Sequence, residues 1–276
     1  MLRSSNPVLS RQDAFTPAAP QYGQSQYNQS PFGYPQYPGQ PQYAGQAPVE
    51  APEGRMTFDD VVTKTAITMA ILILTAALAW FAIPDTLMLP ALILSGLVGF
   101  VVVLFVAFRR VINPALVLVY AAIEGVFIGM ISKYFETMYT GIVVQAVVGT
   151  FAAAAVTLAA YKFFNIRVTP KFQKIVIIAT ISFAVAMLLN FGLALAGIDL
   201  GLRDGGTGPV SLLAVGVALL GAVLAVLNLV LDFDYIEKGV AIGAPAKESW
   251  RGAFGLTVTM VWLYIEILRL LSYLRR

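Results

Sequence analysis

Residues 210–231 read VSLLAVGVALLGAVLAVLNLVL, an uncharged apolar stretch that ends at Asp232. The stretch is longer than the about 20 residues that an α-helix needs to cross the hydrocarbon core of a bilayer. With it we count seven apolar segments, at about 62–83, 86–108, 113–132, 140–162, 173–196, 209–236 and 253–273. The sequence therefore predicts an all-α polytopic membrane protein with seven transmembrane helices.

The composition supports one membrane domain behind a polar leader. Apolar residues make up 58% of the chain and charged residues 12%, against about 25% charged residues in soluble proteins. Residues 1–54 differ, because the tripeptide Pro-Gln-Tyr recurs there amid Gln, Gly and Ser, with few aliphatic side chains. We expect a disordered cytoplasmic leader over 1–54 and a membrane domain over 55–276. The alternative for the leader is an adhesive segment for a partner or for self-association.

The absence of two residue types excludes several kinds of chemistry. The chain has no cysteine and no histidine, which excludes disulfides and cysteine-ligated zinc. A pH response inside the membrane must then come from carboxylates, since the usual group that titrates near neutral pH is missing. The net charge of +3 reflects loop residues in a membrane protein, so we expect no nucleic-acid partner. We also expect no cofactor.

Most of the eighteen lysines and arginines lie on one side of the predicted spans. The positive-inside rule then places the N-terminus and the 2–3, 4–5 and 6–7 loops in the cytoplasm. The basic tail Arg275-Arg276 conflicts with this scheme, because seven crossings put it outside. A re-entrant last segment would remove the conflict, but we favour seven full crossings.

Two acidic residues lie in or at the end of predicted transmembrane segments, where membrane proteins rarely have charged side chains. Asp232 closes the sixth segment and Glu266 lies inside the last one, although a carboxylate in hydrocarbon costs roughly 2.5–3.5 kcal/mol on insertion scales. Asn228 lies four residues before Asp232 and hence on the same helical face. Asp234 points elsewhere, near the cytoplasmic end of that helix. The alternative for Asp232 and Asp234 is that they simply mark the helix end.

Glu266 and a third acid have structural alternatives as well. Glu266 lies roughly 20 Å along its segment, and Arg269 follows three residues later, which allows an ion pair within the helix. Glu124 is in the middle of the third segment, beside the small residues Gly125 and Gly129, which allow close helix packing. Its alternative role is a hydrogen bond to a neighbouring helix.

Several strings make the chain resemble the Bax inhibitor-1 family, also called the transmembrane BAX inhibitor motif family. Leu263–Leu268 (LYIEIL) resembles the Leu-Tyr-Leu-Asp-Ile-Ile pattern of that family's last span, and Asp232–Ile236 (DFDYI) resembles its Asp-Thr-Gln-x-Ile string. Ala122–Gly125 (AIEG) resembles a Leu-Glu-Gly stretch in the third span. Met56-Thr57 and the stretch 61–66 are similar to the start of the first span in a bacterial branch of that family. The resemblance covers about residues 56–276.

The resemblance implies a fold and an activity. The last helix would be enclosed by the others, and the protein would be a pH-sensitive calcium or cation leak in the bacterial plasma membrane. Two facing carboxylates, Asp232 and Glu266, would control it and bind Ca²⁺ weakly and transiently, with H⁺ as the regulating ion. The chain departs from the family pattern in having Glu at the second position and a longer stretch over Glu237–Gly252.

A facing carboxylate pair suggests a mechanism and sets a geometric condition. Two such groups in a poorly solvated site would share one proton, and losing it would push the helices apart or admit a cation. Asp232 and Glu266 meet only if the sixth helix continues past Ile236 or the seventh starts late, near Thr257. We predict the former.

Other function classes fit the sequence less well. An intramembrane aspartyl protease needs Gly-x-Gly-Asp, whereas the nearest string, Gly201–Asp204 (GLRD), lies in a glycine-rich loop to which we assign no chemistry. We therefore expect no enzyme. The main alternative is a non-conducting, membrane-embedded regulator of another membrane protein, such as a membrane protease. The expected partners are the lipid bilayer and such a membrane protein; the sequence does not specify an oligomeric state.

Overall fold

The computed structural model describes residues 54–164, 166–203 and 210–276, and these residues form seven long helices. They are α1 (Phe58–Ala82), α2 (Met88–Phe108), α3 (Pro114–Met138), α4 (Ile142–Phe163), α5 (Pro170–Leu195), α6 (Leu212–Ala241) and α7 (Glu248–Leu274). Seven segments are long and apolar enough to cross a membrane, which confirms the predicted number of spans. The predicted disorder of residues 1–53 lies outside the described residues.

Short polar side chains fix where several helices begin. The Thr57 hydroxyl accepts a hydrogen bond from the Asp60 backbone N–H and caps α1. Asn113 caps α3 in the same way, and Pro114 occupies the first turn, where its missing N–H costs nothing. The helices therefore start at residues that the sequence marks clearly.

The last helix is enclosed, as the resemblance implied. Helix α7 packs against α1, α3, α4 and α6. No residue from Glu248 to Tyr273 is exposed. By contrast, α5 lies at the edge of the bundle, and α6 is the only described helix whose backbone approaches it closely. Polar and charged side chains on α7 are thus shielded from lipid by neighbouring helices.

Glycines bring α1 and α3 close together. A Cβ atom at Gly125 would overlap the Leu72 carbonyl oxygen, and one at Gly129 would overlap that of Ala76. The small-residue face next to Glu124 therefore serves close helix packing, as predicted.

The segment before α1 is tied to the connection between α6 and α7. The Met56 N–H donates to the Ala244 carbonyl at 2.7 Å, and the Ala246 N–H donates to the Gly54 carbonyl at 2.7 Å. Lys64 Nζ donates to the Ala246 carbonyl at 3.0 Å. The membrane domain therefore includes at least Gly54, one residue before its predicted start.

Candidate functional site

Asp232 faces α7 near the connection between α6 and α7. The Thr259 hydroxyl donates to Asp232 Oδ2 at 2.7 Å. A Cβ atom at Gly255 would lie 3.0 Å from Asp232 Oδ1, so the glycine leaves room for the carboxylate. Asp232 is thus a hydrogen-bonded group between two helices, which is more than a marker of a helix end.

Glu266 is almost completely buried between α6 and α7, farther from their connection than Asp232. Its side chain is 1% exposed. It lies against Gly221 of α6, where an added Cβ atom would be 2.8 Å from the carboxylate carbon. Trp262 Nε1 donates to Glu266 Oε1 at 3.3 Å.

Arg203, from the connection between α5 and α6, binds Glu266 with both ends of its guanidinium. Arg203 Nη2 donates to Oε1 at 2.8 Å and Nη1 donates to Oε2 at 3.1 Å. Its Nε lies 3.0 Å from the Met187 sulfur, and the guanidinium stacks over the Phe183 ring at 5.7 Å. This planar, two-bond contact is the geometry that arginine and carboxylate groups form most strongly.

The sequence reasoning missed Arg203. We assigned the glycine-rich string that contains it to a loop without chemistry, and that assignment was wrong for this residue. A signal was available, because a buried carboxylate requires a cation and Arg203 is one of few on the predicted outer side. We considered only Arg269, which does approach Glu266, but its Nε is 4.0 Å from Oε2. The predicted ion pair within the helix is therefore the weaker of two.

The predicted facing pair of Asp232 and Glu266 is not formed. Helices α6 and α7 are antiparallel, with Asp232 opposite Gly255 and Glu266 opposite Gly221. The two levels are eleven residues apart on each helix, or about 16 Å. The two carboxylates therefore cannot share a proton or bind one Ca²⁺ ion here.

The short connection between α6 and α7 explains this error. Helix α6 does continue past Ile236, to Ala241, as predicted. However, α7 already begins at Glu248. Because so few residues separate the helices, residues at equal distance from the connection face each other, and Glu266 is twice as far from it as Asp232.

Asn228 and Asp234, which lie close to Asp232 in the sequence, form contacts of their own elsewhere. Asn228 Nδ2 donates to the Thr180 hydroxyl of α5 at 2.7 Å, so this residue joins α6 to α5. Asp234 pairs with Lys238 at 2.6 Å, as expected of a residue near a helix end. Among the described residues, no hydrogen bond joins either of them to Asp232 or Glu266.

Glu124 lines a cavity of about 250 Å³ between α2, α3 and α7. Its Oε2 would be 2.8 Å from a Cβ atom at Gly99. The alternative role that we gave it, a hydrogen bond to another helix, is not seen within the described part of the chain. On α7 this cavity extends from Val258 to Ile265, and hence lies between the levels of the other two acids.

A larger cavity, about 620 Å³, adjoins it between α2, α5 and α7. Arg203, Glu266 and Arg269 line this cavity among mainly apolar side chains. The two cavities share Phe100, Trp262 and Ile265 in their walls. Within the described residues, no three acidic side chains come together as a metal site would require.

Comparison with known proteins places the chain in a family. The model of the family described as Bax inhibitor 1 like matches residues 6–276. The match begins well before residue 56, where the resemblance in the sequence motifs began. No similar protein was found among curated proteins. Since the match covers nearly the whole chain, this seven-helix membrane protein belongs to the Bax inhibitor 1 like family.

Proposed function

We propose that the protein is a pH-sensitive leak for calcium or other cations, held closed by a latch between Arg203 and Glu266. The observation that carries the proposal is the two-bond contact of Arg203, from a connecting segment, with a carboxylate that is 1% exposed. Family membership and the enclosed α7 support the class of function. Neither a cofactor nor an enzymatic activity belongs to the proposal.

The latch depends on the charge of Glu266. Breaking a buried ion pair by removing one partner costs about 3–5 kcal/mol, because the other charge is left buried without compensation. Protonation of Glu266 neutralises the carboxylate and so weakens its hold on Arg203. Glu266 lies on the enclosed helix α7, whereas Arg203 lies outside the helices, after the end of α5 at Leu195. We therefore propose that acid opens the leak, the opposite sign from a pair that shares a proton.

Two carboxylates at successive levels of α7 offer a route for a cation once the latch is open. Asp232 lies beside Gly255, and Glu124 lines the cavity along 258–265. Each acid contributes few oxygens, so a Ca²⁺ ion, which takes six to eight, would keep water ligands. Weak binding at several sites is what conduction requires. With the N-terminus in the cytoplasm of a bacterial cell, Asp232 would be the acid nearest to the cytoplasm.

Flux into liposomes that contain a calcium reporter tests this proposal. We would compare the wild type with Glu266→Gln, Asp232→Asn and the surface control Lys174→Gln from about pH 5 to pH 8. The expected result is a flux that rises in acid, loses its pH response in Glu266→Gln, decreases in Asp232→Asn and is unchanged in the control. Flux no greater than in empty liposomes at every pH would refute the leak.

A second candidate is a non-conducting regulator of another membrane protein. The observation in its favour is the edge position of α5, which exposes Ile178, Ile181 and Leu189 by 53%, 58% and 62%. A helix of a partner could cover this face in place of lipid. Copurification of a membrane protein that is lost when these residues are replaced by alanine, together with absent flux, would favour the regulator.

A further inference from the structure

Among the residues that the structure describes, those lining the cavity around Glu266 carry more positive than negative charge. Among the described residues that line it, only Arg203, Arg269 and Glu266 are charged. Arg203 occupies both oxygens of Glu266, so Arg269 is left with a contact of 4.0 Å to the same carboxylate. One carboxylate therefore serves two guanidinium groups in a site of low dielectric constant, where charges are normally compensated.

Two buried polar groups on α7, one of which lines this cavity, have incomplete hydrogen bonding. Within the described part of the chain, Arg269 Nε and the Tyr273 hydroxyl have no partner at hydrogen-bond geometry, although the two side chains lie close enough to interact with each other. The two residues are four apart on α7 and hence lie on one face, one turn from each other. Buried polar atoms without a partner are uncommon in native proteins and each requires an explanation. An acceptor with a negative charge would satisfy the guanidinium and balance the excess positive charge together.

The shape of the cavity indicates which anion fits. Its volume of about 620 Å³ is within the usual range for small-ligand sites, and Phe100, Leu188 and Phe191 line it besides the charged groups. The backbones of α2 and α5, which form its walls, do not approach each other among the described residues. The cavity thus lies between helices that leave a gap at membrane depth.

We propose that this cavity is a binding site for a carboxylate with a hydrocarbon chain, whose head group contacts Arg269 and whose chain lies along the apolar wall. The site goes beyond the proposed leak and does not depend on it, because binding can be measured without any flux. The carboxylate charge is the recognised chemistry, and it could come from a membrane amphiphile or from a small anion in water.

Trp262 gives a direct readout, because it lines the cavity and donates to Glu266. With Trp80 and Trp250 replaced by phenylalanine, Trp262 is the only tryptophan in the chain. The probe is dibromostearic acid, whose bromine atoms quench indole fluorescence, added to the protein in nanodiscs. Its uncharged methyl ester and sodium iodide are the comparison probes.

We expect saturable quenching by the acid and binding of the ester weaker by about tenfold or more. Arg269→Gln should weaken acid binding by a similar factor. Arg269→Lys should retain part of it, and Tyr273→Phe should weaken it less than Arg269→Gln. Arg275→Gln removes the same charge at the same end of α7 and should bind like the wild type. Thermal unfolding identifies any variant that fails to fold, and the acid–ester comparison needs no variant.

The possible outcomes distinguish a membrane amphiphile from a small anion in water, and several of them would refute the proposed site. Saturable quenching by iodide but not by the acid would overturn the amphiphile and assign the cavity to a small anion from water. Equal binding of acid and ester, acid binding that is unchanged in Arg269→Gln, or quenching that never saturates with either anion would overturn the proposal. Absent flux in the liposome experiment would leave this result unaffected.

Discussion

Replacing Arg203 with glutamine removes the latch while leaving every helix intact. The wild-type contact consists of two charge-assisted hydrogen bonds, each with a net value of about 1.5–3 kcal/mol. After the change, Glu266 keeps the Trp262 N–H at 3.3 Å and Arg269 at 4.0 Å. Because Arg269 compensates part of the charge, we expect a loss near the lower end of the range for a broken buried pair, about 3 kcal/mol.

This loss should appear in two measurements. The free energy of unfolding should decrease by about 3 kcal/mol near neutral pH. At the same pH, the calcium flux into reporter liposomes should increase, because 3 kcal/mol shifts a two-state equilibrium by more than about a hundredfold. Both differences from the wild type should shrink as the pH decreases, since protonation of Glu266 removes the same interaction.

A double-mutant cycle identifies the cause. If Arg203 acts through Glu266, then Arg203→Gln should have little further effect in a Glu266→Gln background. Equal effects of Arg203→Gln in both backgrounds, or wild-type flux and stability in the single variant, would refute the latch. Lys174→Gln, which removes an exposed charge at the start of α5, is the matched control.

Other contacts lead to further predictions. Gly221→Ala should destabilise the protein by about 1–3 kcal/mol in thermal unfolding, because its Cβ atom would lie 2.8 Å from the buried carboxylate; Gly216→Ala, with no atom within 4 Å, should not. Thr259→Val leaves Asp232 Oδ2 without its donor, so we expect a loss of about 1–3 kcal/mol in the same assay, and an unchanged melting temperature would contradict that hydrogen bond. Deletion of residues 2–53 should leave calcium flux intact, whereas loss of flux in a folded protein would show that the leader takes part in conduction.

The helices could be predicted from the sequence because hydropathy and capping are local. Each apolar segment is bounded by charged, glycine or proline residues, and Thr57 and Asn113 cap the helices that follow them. The enclosure of α7 was expected from the resemblance in its motifs. Its own composition agrees, because its mean hydropathy of 1.6 is the lowest of the seven segments.

The pairing of side chains between helices could not be predicted in the same way. Whether Asp232 meets Glu266 depends on the register of α6 against α7, which the length of their connection determines. The sequence placed the start of the last span at about 253, whereas α7 begins at Glu248. The contact of Arg203 with Glu266 joins residues 63 apart in the chain, and nothing local to either residue specifies it.

The central position of α7 has a consequence for how the protein is made. Helix α7 follows the other six helices in the chain, so α1, α3, α4 and α6 are synthesised before the helix against which all four pack. Its low hydropathy and its buried Glu266 and Arg269 make it a poor candidate for insertion on its own. We therefore expect a late assembly step in which the earlier helices accept α7, and a chain that lacks α7 should be degraded.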